Sequence, residues 1–377
     1  MTQPTPIARL VRHPFANSES LESSALIVGA VAFVITTIVA LLVFWGAALP
    51  IAGPGSVAQF VAIASGVAAL IVFVGVRAYL STEAKSGRDT PQGLRVEGAR
   101  LHWFDIAALA LAHAIIALLG WLAMGDILER SFTDAMVYWF PASLLAGTAV
   151  ALTSYVVVLS AARLTPMLLS VILAAFLVVG VFASMLSASD PHWWKLNLST
   201  LGISDDISAL AFNLTLIIAG VIVTTVAHYA TSAIPVTTPS EAWGRTRVRV
   251  GLVAMGILLA CVGIFPVDRF LTLHNISASG MAVIFIVLTL GMRRLVPGMP
   301  RVFVLMGYVF VGVIALIAVF FITGYYNLTA VELVAFLLIF SWLILFIRNT
   351  ASMSGGAGPG EAAGASTREL PDTAPAA

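Results

Sequence analysis

The chain is built from ten apolar runs, most of them about twenty residues long, parted by prolines, glycines and short polar stretches. A helix needs about 20 apolar residues to cross a bilayer core. In hydrocarbon no water is present to satisfy a backbone N–H or C=O, so each run has to close its own hydrogen bonds as a helix. The runs fall at approximately 25–50, 57–80, 104–127, 136–162, 166–188, 207–233, 250–267, 277–295, 302–325 and 329–348. Breaks are marked by Pro50, Gly53-Pro54-Gly55, Pro141, Pro166, Pro191, Pro235, Pro239, Pro266, Pro297 and Pro300. Pro141 is expected in the first turn of its helix, where a missing N–H costs little. Hydrophobic residues make up 60% of the chain and charged ones 10%, and the mean hydropathy is +1.03. Soluble domains carry roughly a quarter charged residues. This composition excludes a soluble enzyme, a disordered protein and a nucleic-acid binder. The expected fold is all-α, a polytopic membrane bundle of about ten transmembrane helices.

The basic residues orient it. With a cytoplasmic N-terminus, sixteen Lys and Arg fall in inside segments, among them Arg77, Lys85, Arg88, Arg163, Arg245, Arg249, Arg293 and Arg348, and only Arg130, Lys195 and Arg269 fall outside. That asymmetry puts both termini in the cytoplasm. One helix more or fewer would invert every later loop and destroy the separation. The Ala/Gly/Val-rich bias points to a high-GC bacterium and so to its plasma (inner) membrane.

Four segments are expected: a cytoplasmic tail at 1–24, a four-span segment at 25–164, a six-span core at 165–350, and a Gly/Ala/Pro/Ser-rich disordered tail at 351–377. The first apolar run, 25–51, is too long for a signal-peptide core, so no cleaved leader is expected. The basic loop 81–103 reads as a solvated connector beside anionic lipid. The single Cys261 lies in an apolar stretch and supports neither an intramolecular disulfide nor a Cys-based metal site.

Polar residues collect on the outer face. The fifth-to-sixth loop carries Asp190, His192, Trp193, Trp194, Lys195, Ser199, Gly202, Asp205 and Asp206; the seventh-to-eighth carries Asp268, Arg269 and His274; the ninth-to-tenth carries Tyr325, Tyr326, Asn327 and Glu332. The third-to-fourth loop adds Asp126, Glu129, Arg130 and Asp134. The paired aromatics suit an interfacial belt. Asp190, His192, Asp268 and His274 are candidates for general acid/base work. His192 and His274 are weak candidates for a metal, since no ligand spacing such as HExxH is present. The alternative for this set is a hydrogen-bonded network tying loops together. A turn at Ser199–Gly202 is expected under the outer ends of the last spans, with the next helix starting near Asp205. Trp193, Trp194, Ser199, Asn213 and Glu332 are candidate ligand-binding residues, and the histidines, carboxylates and Asn213 are expected to line one outward cavity.

Polar groups inside spans are costly and invite functional readings. His113, in the third span, reads as a proton relay or as a neutral histidine bonded to a neighbouring helix. Asn213 reads as an interhelical hydrogen bond or a ligand contact. His228 and Asp105 lie near cytoplasmic ends. Glu332, in the first turn of the last span, fits the positive end of the helix dipole. The Asn-x-Ser/Thr triplets at Asn197, Asn213, Asn275 and Asn327 read as helix-start chemistry rather than glycosylation sites.

Residues 165–350 carry Trp193-Trp194, then Leu198-Ser199-Thr200-Leu201-Gly202, then Phe212-Asn213 and Gly220, and later Asp268, Leu273-His274, Pro297 and Pro300. In these the chain resembles the six-span bacterial membrane-protein family called domain of unknown function 998. It is similar, more distantly, to the DRAM-like membrane proteins, some of which are tied to lipid or GPI-anchor handling. The resemblance implies architecture and lends no defined activity.

Three functions fit this reading. One is binding or transport of a lipid-linked or amphipathic small molecule at an outward-facing cavity. A second is a membrane-embedded hydrolase or transferase acting on a lipid head group, and a third a non-catalytic component acting through a protein partner. Membrane lipid and an amphipathic small molecule are the expected partners, nucleic acid is not, and the sequence leaves any cofactor and any protein partner unknown. No P-loop and no charged pore-lining stripe are present.

Overall fold

The structure is a computed structural model and describes residues 18–85, 103–203 and 207–355. Among these, ten helices are long and apolar enough to cross a membrane. They are α1 (Ser18–Val43), α2 (Val57–Lys85), α3 (Trp103–Ser131), α4 (Trp139–Ala162), α5 (Pro166–Leu186), α6 (Ile207–Ser232), α7 (Pro239–Ile264), α8 (Leu271–Leu295), α9 (Arg301–Ile322) and α10 (Leu328–Gly355). The protein is an all-α polytopic membrane bundle. Ten crossings return the chain to the side on which it began, and the basic residues assign that side to the cytoplasm. "Outer" below means the opposite end.

Helix boundaries depart from the hydropathy reading where local chemistry overrides it. The first span stops at Val43. Gly46 turns the chain at φ 72°, and residues Ala48–Pro50 form a strand β1 rather than a last helical turn. Strand β1 pairs antiparallel with β2 (Met136–Tyr138), Leu49 opposite Val137. The fourth helix therefore starts at Trp139, not at 136, with Pro141 in its first turn as expected. Helix α7 begins at Pro239, eleven residues before the apolar run, because Thr238 and Glu241 form a capping box around that start. Arg245, Arg247 and Arg249 thus sit on a helix, not in a loop. Helix α8 begins at Leu271, which places His274 and Asn275 in its first turns. Residues 18–24 and 351–355, expected in the tails, are helical. The rest of both tails, most of loop 81–103, and the expected helix start at Asp205 lie outside the described residues.

Helix α1 packs along α4, and α2 against α3 and α4. Helices α5 to α10 form a second group, in which α6 and α7 make the tightest pair. Gly220 and Gly256 explain that approach. A Cβ on either would stand 2.3 Å and 2.6 Å from the other's carbonyl oxygen. Close backbone approach through small residues is how helices associate when lipid is as apolar as their side chains. At the other end of this group Trp342, buried on α10, stacks on Phe346 and meets Phe285 of α8 and Phe303 of α9. The two groups meet where α3 crosses α5 and α6.

Candidate functional site

Beyond α5 the chain runs through two short 3-10 turns, Trp193–Lys195 and Leu198–Gly202. Leu198 and Leu201 are buried and pin the second turn into the outer end of the six-helix group. Polar bonds then tie it to three helices. The Leu198 N–H donates to Glu332 Oε2 on α10 at 2.5 Å. Ser199 Oγ lies 2.9 Å from His274 Nε2 on α8. The Asn213 amide, on α6, donates to the Gly202 carbonyl at 3.0 Å. One bond further back, His274 Nδ1 lies 2.8 Å from the Phe265 carbonyl. A carbonyl can only accept, so Nδ1 is the protonated nitrogen, and in the neutral ring Nε2 accepts from Ser199. Asn327 caps α10 by accepting from Ala330 N–H, and its amide donates to the Trp194 carbonyl at 2.9 Å. Ser199, Asn213, His274 and Glu332 thus converge on one turn, as a packed plug. Glu332 serves the neighbouring turn's N–H rather than its own helix start, which corrects the dipole explanation.

The remaining candidates stand apart from the plug. Asp190 and His192 pair with each other on the surface, with side chains 63% and 62% exposed and 3.7 Å between Oδ1 and Nδ1. The Asp190 carboxylate also accepts from the His192 backbone N–H at 2.8 Å, a local turn. Asp268 pairs with its neighbour Arg269 at 3.6 Å. Trp193 packs half-buried against the core, while Trp194 is exposed, with the Lys195 ammonium 5.8 Å from its ring. These pairings correct the expectation of a single cavity shared by all of them. Among the described residues no three His, Cys, Asp or Glu side chains gather closely enough to hold a metal ion.

His113 repeats the His274 arrangement inside the membrane. Its Nδ1 faces the Leu109 carbonyl at 2.7 Å and its Nε2 the Ser160 hydroxyl of α4 at 2.8 Å, and its ring lies 4.6 Å from that of Phe73. Both ring nitrogens are therefore committed, which favours the interhelical bond over a relay. At the inner ends, Tyr229 of α6 donates to Asp105 of α3 at 3.3 Å, and Arg77 of α2 donates to the Ala161 carbonyl of α4 at 3.3 Å.

A cavity of about 330 Å³ opens at the outer end between α2 and α3 of the first group and α5 and α6 of the second. Its polar lining is Gln59, Asp126 and Ser187; Leu119, Leu122, Ala123, Ala183 and Ala211 make the apolar wall. Loop 53–56 shapes the mouth. Gly53 and Gly55 adopt φ 90° and 73°, Ser56 caps α2 by accepting from Gln59 N–H at 3.0 Å, and Gln59 Oε1 accepts from Gly55 N–H at 2.7 Å. A second cavity of about 330 Å³ lies on the other face of the α2–α3 pair, lined by Val57, Val61, Trp121, Leu145 and Leu152 among others, and is almost wholly apolar. Gly125 and Ala58, in close contact, both belong to its lining. The polar cavity is not visible in the sequence because Asp126, at the very end of the 104–127 run, groups with the polar residues of the third-to-fourth loop. Helix α3 runs on to Ser131, which makes Asp126 a carboxylate on a membrane helix; such residues face cavities or partners.

Fold and site together define a multi-pass helical membrane protein in which, among the described residues, a polar plug and the two cavities above lie in the outer half. Comparison of the chain with protein-family models, with curated proteins and with solved structures finds no match to any of them.

Proposed function

We propose that this protein binds, and carries or presents, a lipid-linked or amphipathic small molecule at the outer face of a bacterial inner membrane. The observation behind this reading is the cavity between the two helix groups. Its mixed lining suits a ligand with one polar end and an apolar body, and junctions between packed groups are where such sites form. The Tyr229–Asp105 bond closes the same junction at the inner ends. The ligand reaches the cavity from the outer side or laterally from the outer leaflet. The test is mass spectrometry of gently purified protein beside an Ala123→Phe variant, in which a ring fills the cavity. A co-purifying amphipathic species should be present in the parent and lost in the variant. The same species retained in both would place the ligand elsewhere.

A second reading, hydrolysis of a lipid head group, has the Ser199–His274 pair in its favour, a hydroxyl 2.9 Å from an imidazole that a carbonyl orients. That is the spacing of a nucleophile and its base. Against it stand the burial of both residues, 9% and 4% exposed, and the same arrangement at His113. A fluorophosphonate probe decides between them: labelling that disappears in Ser199→Ala would support hydrolysis, and an unlabelled folded protein would remove it.

A further inference from the structure

We propose that the cavity between α2, α3, α5 and α6 takes an organic ammonium ion with N–H donors and a short apolar body, and that Asp126 is its counter-ion. This rests on reading that cavity as the ligand site, and it names the ligand's chemical class.

The argument starts from what lines the space. Among the described residues Asp126 is the one charged residue of the lining, and no Lys or Arg shares it. Arg130, one turn further out on α3, is exposed and outside the cavity wall. A carboxylate on a membrane helix is costly; the exposed Arg130 offsets part of that cost from outside the cavity, and a cation entering the cavity supplies a closer partner. An anion would meet Asp126 unfavourably. The second polar group has its donor already spent: the Ser187 hydroxyl gives its proton to the Ala183 carbonyl at 2.7 Å. Its lone pairs therefore act as an acceptor. Gln59 accepts the Gly55 N–H on its amide oxygen, and its amide nitrogen is a donor rather than an acceptor. A carboxylate and a hydroxyl oxygen thus offer acceptors to N–H donors.

The rest of the wall narrows the class. A calcium ion takes six to eight oxygen ligands, and magnesium a regular octahedron; this lining has too few. A quaternary ammonium binds best against aromatic faces, and among the described residues no aromatic ring lines this cavity. Leu119, Leu122, Ala123, Ala183 and Ala211 instead fit an aliphatic body. A volume of about 330 Å³ lies at the small end of ligand sites, which run from about 300 to 1,000 Å³. A primary or secondary amine on a short hydrocarbon meets all of these conditions.

The test uses the full chain in lipid nanodiscs and four probes of equal length: octylamine, octyltrimethylammonium, octanol and octanoate. Binding is measured by calorimetry, with empty nanodiscs subtracted. Octylamine should bind at least about tenfold more tightly than the other three, as expected where a charge-assisted hydrogen bond is made. Asp126→Asn should abolish that preference, bringing octylamine down to the affinity of octanol. Ser187→Ala should weaken octylamine by about fivefold, one hydrogen bond's worth, and it carries the test should Asp126→Asn fail to fold. Equal affinities for octylamine and octanol, or a preference untouched by either substitution, would overturn the amine assignment. Ala123→Phe separates the two levels. If the parent binds all four probes equally and this variant binds none, the cavity remains the ligand site and only the amine preference falls. If binding survives Ala123→Phe unchanged, both fall.

Discussion

Gly202 has no room for a side chain. A Cβ there would stand 2.5 Å from Asn213 Oδ1 and 3.0 Å from the Phe212 ring, so any larger residue pushes away the amide that bonds the Gly202 carbonyl. The requirement is close approach, not turn conformation. Residues with positive φ are found elsewhere, at Gly46, Gly53, Gly55, Gly324 and Asp134. Gly298 differs, because its Cβ would meet only the mobile end of Met353, at 3.0 Å. Gly202→Val should therefore lower thermal stability in detergent by about 1–3 kcal/mol, the range for overpacking, and Gly298→Val by much less. Equal melting temperatures for the two variants would remove the special role of Gly202. Gly202 and Asn213 each stand out in the sequence as residues. That they bond to each other does not, because eleven positions and a turn separate them and only the folded turn brings the carbonyl to the amide.

At the scale of elements, the helices hold together by contrasting means. Helices α6 and α7 lock backbone to backbone through Gly220 and Gly256, whereas α8, α9 and α10 meet through the rings around Trp342. Gly256→Val places a branched side chain against the Gly220 carbonyl and Thr224 and should sharply reduce the folded fraction on size-exclusion chromatography. Gly312→Val, on α9 with nothing within 4 Å of its Cβ, should leave that fraction unchanged. A comparable loss in both would mean that α9 packs against a surface outside the described residues. Element existence is plain from hydropathy, but element ends are not. Thr238 and Glu241 extend α7 inward by a capping box, and Gly46 with the β1–β2 pairing ends α1 early. Side-chain caps and cross-loop pairing carry little hydropathic signal.

For the whole molecule, the charge asymmetry makes a direct prediction. Reporter domains inserted in loop 81–103 and in loop 189–206 should report opposite sides of the membrane, with the first cytoplasmic. Reports from the same side would mean that one of the three helices from α3 to α5 does not cross as described. The outer end is also where the two helix groups part to leave the cavity beside Asp126, while Tyr229 and Asp105 join them at the inner end.

The sequence by itself determined the solvent, the number of crossings and the preferred orientation. A bilayer permits only self-satisfied helices of about twenty residues, and Lys and Arg resist translocation. Both constraints act locally along the chain, so both can be read from a string of letters. Tertiary structure alone decided which polar groups meet. His274 and Ser199 are 75 positions apart and bonded, while His192 and Asp190, two apart, keep to themselves at the surface. It also decided that Asp126 lines a space rather than a loop. A hydrogen bond reaches about 3 Å, so the partners of a buried polar group are set by how whole helices lie against one another, and no local pattern encodes that.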